Sequence, residues 1–257
     1  MSSNDTIGKT LIVAFSLCLV CSVIVSTAAV VLKPQQEINK EIDKKRNLLA
    51  AAGMWKEGVS VEEQFAKVTT RIVDLRTGRF TDAVSVKDYD ERRAAKDPAE
   101  SEPLEPGEDV AKISRLEHYA AVYLVENSSG DIEKIILPIR GYGLWSTLYG
   151  FIALEADANT VAGLGFYEHG ETPGLGGEVD NPQWKASWPG KKVYRQGNVA
   201  IALIKGTVDP SDADAAYEID GLAGATLTAR GVTNLVQFWL GENGFEPFLN
   251  NLTSGEA

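Results

Sequence analysis

A run of 22 residues without a charge, Leu11 to Leu32, constrains this chain more than any other feature of its sequence. As a helix rising about 1.5 Å per residue it is roughly 33 Å long, enough to cross a bilayer core of about 30 Å. A cleaved signal peptide is the alternative, because small residues (Ser26 to Ala29) lie near its end. The run is longer than a signal core and continues to Leu32, which favours an uncleaved membrane anchor.

The charges that flank this run bear on its orientation. Only Lys9 precedes it, whereas five bases follow closely, namely Lys33, Lys40, Lys44, Lys45 and Arg46. The positive-inside rule, taken alone, therefore places the large C-terminal part in the cytoplasm.

The charge of the remaining chain excludes one class of partner. The formal net charge is −11, and all of it belongs to residues 33–257, because Asp5 cancels Lys9. An acidic chain binds phosphate backbones poorly, so we expect no nucleic-acid partner.

Two cysteines and two histidines are too few for a protein-borne metal centre. Cys18 and Cys21 form a CxxC inside the apolar run. They are interpreted either as small residues of a membrane helix or as half of a cluster site completed by another protein of a complex. His118 and His169 are isolated in the sequence, and we expect both to be structural.

The soluble part predicts an α+β fold with a largely antiparallel sheet and flanking helices. Two β-hairpins are expected, with turns at Asn127–Gly130 and Asp157–Asn159, and 199–206 reads as a fifth strand. Val232, Leu235, Val236 and Trp239 recur at helical spacing before Gly241. The predicted organisation is a tail (1–10), a transmembrane helix (11–32), a helical and charged lead-in with an acidic linker (33–112) and a folded domain (113–257).

The first motif with chemical content is DGLAGATLT, Asp220 to Thr228, directly before that helix. Gly221 and Gly224 permit close approach of a ligand, and the unpaired amides of a helix N-terminus suit an anionic phosphate. Thr226 and Thr228 add hydroxyls at the same place. A simple helix cap is the alternative.

The second motif is GETPGLGGE, Gly170 to Glu178, which has four glycines in nine residues. We expect a turn at Thr172–Gly174, and Gly176 and Gly177 could let backbone amides face a planar group. A plain surface loop is the alternative, although long glycine-rich loops are often functional. The motif is neither a dinucleotide fingerprint nor a Walker loop.

These residues make the chain resemble the C subunit of the bacterial sodium-translocating NADH:quinone oxidoreductases. The resemblance covers nearly the whole length, including ILPI-x-G-x-GLW (Ile136 to Trp145), both motifs above and the end FWLG-x-x-GF-x-PFL (Phe238 to Leu249). The family's flavinylation signal is an Asp followed after a spacer by Gly-Ala-Thr, matched here by Asp220 and Gly224-Ala225-Thr226. Ala223 departs from the family pattern, since relatives often have Ser or Thr there. Thr226, the threonine that accepts the flavin in such proteins, is present.

The resemblance implies an FMN joined through its phosphate to the hydroxyl of Thr226 by an FMN transferase. Thr228 would bond the same phosphate, and Leu227 is expected to pack. Trp145 would be a further wall of the ring slot, or else a core tryptophan. The implied lining of the flavin ring is Glu171, Thr172, Gly174, Leu175, Gly176 and Gly177.

The implied function is an electron relay inside the membrane-bound Na⁺-translocating NADH:ubiquinone reductase, a translocase, with no independent substrate site. The partners would be the other subunits, the transferase and membrane lipid. The family places its flavin domain in the periplasm on a single-pass inner-membrane anchor, against the charge rule. Two alternatives stay open: the flavinylated G subunit of an Rnf-type ferredoxin:NAD oxidoreductase, and a non-redox anchored structural protein.

Overall fold

The computed structural model describes residues 6–257, so part of the predicted tail 1–10 lies outside the described residues. The described chain forms two compact units, one ending at Lys44 and one comprising Lys45–Ala257. The helices are α1 Ile7–Ala51, α2 Val61–Phe65, α3 Glu91–Ala94, α4 Pro182–Lys185, α5 Thr226–Trp239 and α6 Glu246–Ser254, with short 3₁₀ helices at Gly176–Asp180 and Ala215–Tyr217. The strands are β1 Val68–Asp74, β2 Arg79–Phe80, β3 Ser101–Pro103, β4 Arg115–Glu117, β5 Tyr119–Glu126, β6 Ile132–Tyr142, β7 Thr147–Glu155, β8 Val161–Glu168, β9 Tyr194–Arg195, β10 Asn198–Val199, β11 Ala202–Leu203 and β12 Glu218–Ile219.

Helix α1 contains the apolar run and extends beyond it at both ends. It is 45 residues long and continues through Pro34 to Ala51. By length and composition it is the one helix among residues 6–257 that could cross a membrane, and its most apolar window is entirely exposed. It therefore differs from the core helix of a soluble protein, which is mostly buried. Cys18 and Cys21 are both exposed on it.

The main sheet has six strands in the order β2-β1-β5-β6-β7-β8, and every neighbouring pair is antiparallel. The predicted hairpins are the pairs β5–β6 and β7–β8. In the first turn, the side chain of Asn127 accepts the amides of Ser129 and Asp131, and Gly130 has φ +88°. The predicted α+β fold with a largely antiparallel sheet is confirmed.

Two parts of the chain differ from the expected strand pattern. Strands β1 and β2 come from the predicted lead-in but pair within the main sheet. The expected fifth strand at 199–206 is broken into β10 and β11, which lie in separate small sheets. It breaks because the amides of Ala200 and Ile201 both donate to the carbonyl of Val193, and the amide of Leu203 donates to the hydroxyl of Thr233.

Helix α5 lies across β6, and this contact positions the functional site. The indole Nε1 of Trp239 donates to the carbonyl of Arg140 at 2.7 Å. Two turns earlier in the helix, Gly231 lies so close to the carbonyl of Tyr142 that a Cβ there would be 2.5 Å from it. The first turn of α5 is therefore held beside the loop that joins β6 to β7.

A buried ion pair lies beneath the same crossing. Arg140 binds Glu117 through two bonds, Nη1–Oε1 at 2.5 Å and Nη2–Oε2 at 2.6 Å, and Glu91 lies 3.7 Å from Nη1. The side chain of Glu117 is fully buried and that of Arg140 is 7% exposed. Burial disfavours the charged guanidinium, but the neighbouring carboxylates prevail and raise the pKa of Arg140.

We predict that Glu117→Ala lowers the free energy of unfolding by about 3–5 kcal/mol, because it leaves the Arg140 charge buried without its main partner. Glu155→Ala is the matched control, since it breaks the half-exposed pair that Glu155 forms with Lys134 on the same strand β6. The control should cost less than about 1 kcal/mol. Denaturant unfolding of the purified full chain, followed by near-ultraviolet circular dichroism, measures both, and equal losses would contradict the prediction.

Candidate functional site

Three segments meet at the carboxylate of Glu171. Its Oε1 accepts the amides of Leu144 at 3.0 Å and Trp145 at 2.9 Å, both in the β6–β7 loop. Its Oε2 accepts the hydroxyl of Thr228 at 2.5 Å, in the first turn of α5. Glu171 itself belongs to the glycine-rich loop that follows β8. Both predicted motifs and the Trp145 stretch are therefore brought together around one side chain.

Two glycines leave the space that the Glu171 carboxylate occupies. A Cβ at Gly176 would lie 2.5 Å from the Thr228 hydroxyl and 2.6 Å from Oε2 of Glu171. A Cβ at Gly143 would lie 2.6 Å from Oε1. Any larger residue at either position would have to displace the carboxylate, so these glycines are explained by close packing.

The environment of Glu171 favours its charged form. Burial disfavours the charge, but the hydrogen bonds from Thr228, Trp145 and Leu144 outweigh this penalty and lower the pKa of the carboxyl. Only 5% of the residue is exposed. The site therefore contains a buried anion at neutral pH.

His169 stabilises the glycine-rich loop that contains Glu171. Its Nε2 lies 2.8 Å from Oδ2 of Asp180, and its Nδ1 accepts the amide of Glu171 at 3.2 Å. Because Nδ1 accepts a hydrogen bond, Nε2 carries the proton in this arrangement. The bond to Asp180 raises the pKa of His169. His169, which is isolated in the sequence, therefore has the structural role expected of it, with partners that are a distant side chain and a backbone amide.

The first turn of α5 is open to solvent at Thr226. Ala225 is the N-cap residue and supplies no capping hydrogen bond, because its side chain has no acceptor. Thr226 is exposed, whereas Thr228 is fully buried. Gly224, just before the cap, has φ +70°, and a Cβ there would lie 3.0 Å from Cδ2 of Leu175. The glycine-rich loop therefore lies directly against the approach to Thr226.

Asp220 fastens the start of this motif. Its Oδ1 accepts the amide of Val208 at 2.8 Å, and its carbonyl accepts Nε1 of Trp184 at 2.9 Å. The amide of Gly221 donates to the carbonyl of Gly206 at 2.8 Å. These bonds hold the segment that leads into Gly224 and Thr226.

The segments that meet at Glu171 and at the first turn of α5 carry exposed apolar side chains. Trp145 is 65% exposed, Leu227 53% and Leu175 44%, and Tyr142 and Leu144 are exposed beside them. Among residues 45–257, only Val86 and Val110 are other large hydrophobic residues of this class. We call Trp145, Leu175 and Leu227 the apolar rim.

For two of the rim residues, the structure contradicts an interpretation made from the sequence. The expectation that Leu227 packs is wrong, because it precedes the buried face of α5, which begins at Thr228. The reading of Trp145 as a core tryptophan is also wrong, because its amide is held by Glu171 while its ring is left exposed.

The remaining predicted residues shape the glycine-rich loop. Thr172 and Gly174 are exposed in its turn. The amide of Gly177 donates to the carbonyl of Thr172 at 2.9 Å, so it closes the loop instead of facing a ligand. Ser146, which no pattern indicated, accepts the amide of Gly170 at 2.6 Å.

Sequence reasoning missed the supporting residues Leu144, Ser146 and Asp180, and it did not indicate which residues His169 contacts. They act through backbone amides or through partners brought close by the sheet, and spacing along the chain carries no signal for either. Among residues 6–257 no group of three or more His, Cys, Asp or Glu residues could hold a metal ion.

Comparison with known proteins gives a consistent result. Residues 143–241 match the model of the FMN-binding domain family, and this range contains every rim residue and Glu171. Over its full length the chain is 55% identical to the C subunit of the Na(+)-translocating NADH-quinone reductase of Pseudomonas aeruginosa, which it covers completely. It is 49% identical to the protein of the same name from Vibrio campbellii, over 99% of this chain and 98% of that one.

A solved structure shows the same fold. The crystal structure of Shewanella oneidensis NqrC superposes with a TM-score of 0.78 at 38% identity, over 84% of this chain and 99% of that chain.

We predict that Gly176→Ala disturbs the site, because its new methyl group would overlap Glu171 and Thr228. Overpacking of this kind costs about 1–3 kcal/mol. Gly107→Ala is the control, since a Cβ there meets nothing within 4 Å. Denaturant unfolding compares the two. The packing argument fails if Gly176→Ala is as stable as the control.

Proposed function

Because the chain belongs to the NqrC family, the C subunits of the Na(+)-translocating NADH-quinone reductases, we propose that it carries FMN covalently on Thr226. In this role it relays electrons between other redox centres of the membrane complex. Reversible electron transfer is the chemistry that FMN supplies when bound. The chain itself holds and orients the cofactor.

The observation that carries this proposal is the position of Thr226. Thr226 is an exposed residue and the first of a 14-residue helix whose N-terminus has no side-chain cap. A phosphodiester there keeps one negative charge, which the helix dipole stabilises by about 0.3–1 kcal/mol. An exposed hydroxyl is also accessible to a transferase that installs FMN.

The residues around Thr226 fit a flavin ring. A planar aromatic group needs apolar contact area, and the rim of Trp145, Leu175 and Leu227 offers it beside the tether point. Gly224 leaves room for Leu175 against the same turn. Thr172, Gly174, Gly176 and Gly177 would shape the loop that carries Leu175.

Thr228 and Glu171 have a different part in this proposal. The hydroxyl of Thr228 already donates to Glu171. What it can offer the phosphate is its backbone amide, as can Leu227, in the first turn of α5. Asp220 and Ala225 complete the signal that a transferase would recognise.

The proposed location follows from α1. Residues 11–32 would cross the bacterial inner membrane, in contact with lipid. The part from 113 to 257, which supplies every site residue, would lie in the periplasm. The other subunits of the reductase are the proposed partners, and they would supply the NADH site, the quinone site and the sodium path of the translocase. The full-length match to the NqrC family favours this reading over the G subunit of an Rnf-type complex.

We predict that the full chain, co-expressed with an FMN transferase, fluoresces under ultraviolet light on a denaturing gel and that Thr226→Ala does not. Denaturation removes any flavin held without a covalent bond. Thr172→Ala is the matched control, because this exposed threonine lies in the same site but not in the signal. Fluorescence that survives Thr226→Ala refutes the acceptor. A dark wild-type band would instead favour a structural protein without a redox role.

We predict that a reporter fused after Ala257 reports a periplasmic location, despite the five bases that follow Leu32. A pair of fusions, one active only in the cytoplasm and one only in the periplasm, makes the measurement. Activity of the cytoplasmic reporter alone would overturn the proposed topology.

A further inference from the structure

We propose that Glu171 is a positioning residue. Its ionised carboxylate joins the β6–β7 loop to the first turn of α5 and thereby fixes the position of the apolar rim relative to Thr226. This inference rests on the proposed function only for the purpose of the rim, which is to contact the flavin. The fastening itself is a property of the chain without cofactor.

The hydrogen bonds show why the carboxylate acts through its neighbours. Both oxygens are engaged, Oε1 with two amides and Oε2 with the Thr228 hydroxyl. The residue is 5% exposed and is covered by Gly143 and Gly176. A side chain enclosed in this way cannot contact a flavin ring directly. Each residue to which it is hydrogen-bonded, however, either belongs to the apolar rim or is next to a rim residue in the sequence.

A carboxylate matches this set of donors. Two of its donors are backbone amides, which can only donate, and a carboxylate can accept from all three partners at once. A glutamine could still accept both amides at its one oxygen, but its NH₂ group would have to donate to the Thr228 hydroxyl, so the charge that strengthens all three bonds would be lost. Removing the acceptor altogether leaves buried donors unpaired, which is costly.

The two ends of the fastening lie on separate elements. Leu144 and Trp145 follow β6, and Thr228 is the third residue of α5. The backbone amide of Glu171 is in turn held by His169. If the carboxylate is removed, nothing else among the described hydrogen bonds joins the Leu144–Trp145 amides to α5. The Trp145 ring would then lose its fixed place relative to Thr226.

The first experiment uses the full chain produced without a transferase. Hydrogen–deuterium exchange is measured at the Leu144 and Trp145 amides in the wild type, Glu171→Gln and Glu171→Ala. We expect exchange in Glu171→Ala to be about tenfold faster, as for loss of a charge-assisted hydrogen bond, and intermediate in Glu171→Gln. Unchanged exchange in both variants would overturn the fastening.

The second experiment uses the flavinylated full chain. Thr228→Val keeps the shape but removes the hydroxyl, and Thr228→Ser restores it. In the fraction of each variant that carries FMN by intact mass, we expect Thr228→Val to lose visible circular dichroism of the flavin and to make the flavin more accessible to iodide quenching. Thr228→Ser should restore both signals, which a merely structural role would not require.

The outcomes separate the two proposals. Wild-type chain that gains no flavin mass overturns the proposed function, while the exchange result still decides the role of Glu171. Flavinylated Thr228→Val with wild-type dichroism and quenching overturns the positioning role but leaves the attachment site intact. If Glu171→Ala does not fold, Glu171→Gln and the Thr228 pair carry the same decision.

Discussion

A buried carboxylate must be surrounded by donors, and this requirement organises the site. Glu171 obtains its donors from two backbone amides and one hydroxyl that lie on different elements. Satisfying it therefore joins the β6–β7 loop, the glycine-rich loop and the first turn of α5 into one arrangement. Gly143 and Gly176 follow from the same requirement, because the carboxylate occupies the space that their side chains would need.

The two threonines at the start of α5 have different roles. Thr228 faces inward and binds Glu171, whereas Thr226, two residues earlier, faces solvent. The inner contact fixes the helix, and the outer hydroxyl is left accessible for the proposed tether. The contact between α5 and β6, which is held by Trp239 and by the buried Arg140–Glu117 pair, fixes the position of this turn relative to the sheet.

The sequence allowed the fold class, both hairpins and α5 to be predicted, because each depends on local periodicity and turn residues such as Asn127 and Gly130. The pairing of β1 with β5 was not predictable, since it joins residues about fifty positions apart through contacts that leave no local pattern. The broken strand at 199–206 was missed for a related reason: Thr233 takes the amide of Leu203 from a distant helix. At the site, the motifs identified which residues gather but not their roles. Glycine content suggested amides facing a ligand, whereas Gly176 makes room for a carboxylate and Gly177 closes its own loop.

The proposed attachment of FMN to Thr226 is tested most directly by peptide mass mapping of the full chain co-produced with an FMN transferase. Cleavage after Lys205 and Arg230 releases residues 206–230, which contain Thr207, Thr226 and Thr228. Fragmentation should place the added FMN phosphoester on Thr226 alone. An unmodified peptide, or a modification that maps to Thr207 or Thr228, would contradict the proposed site.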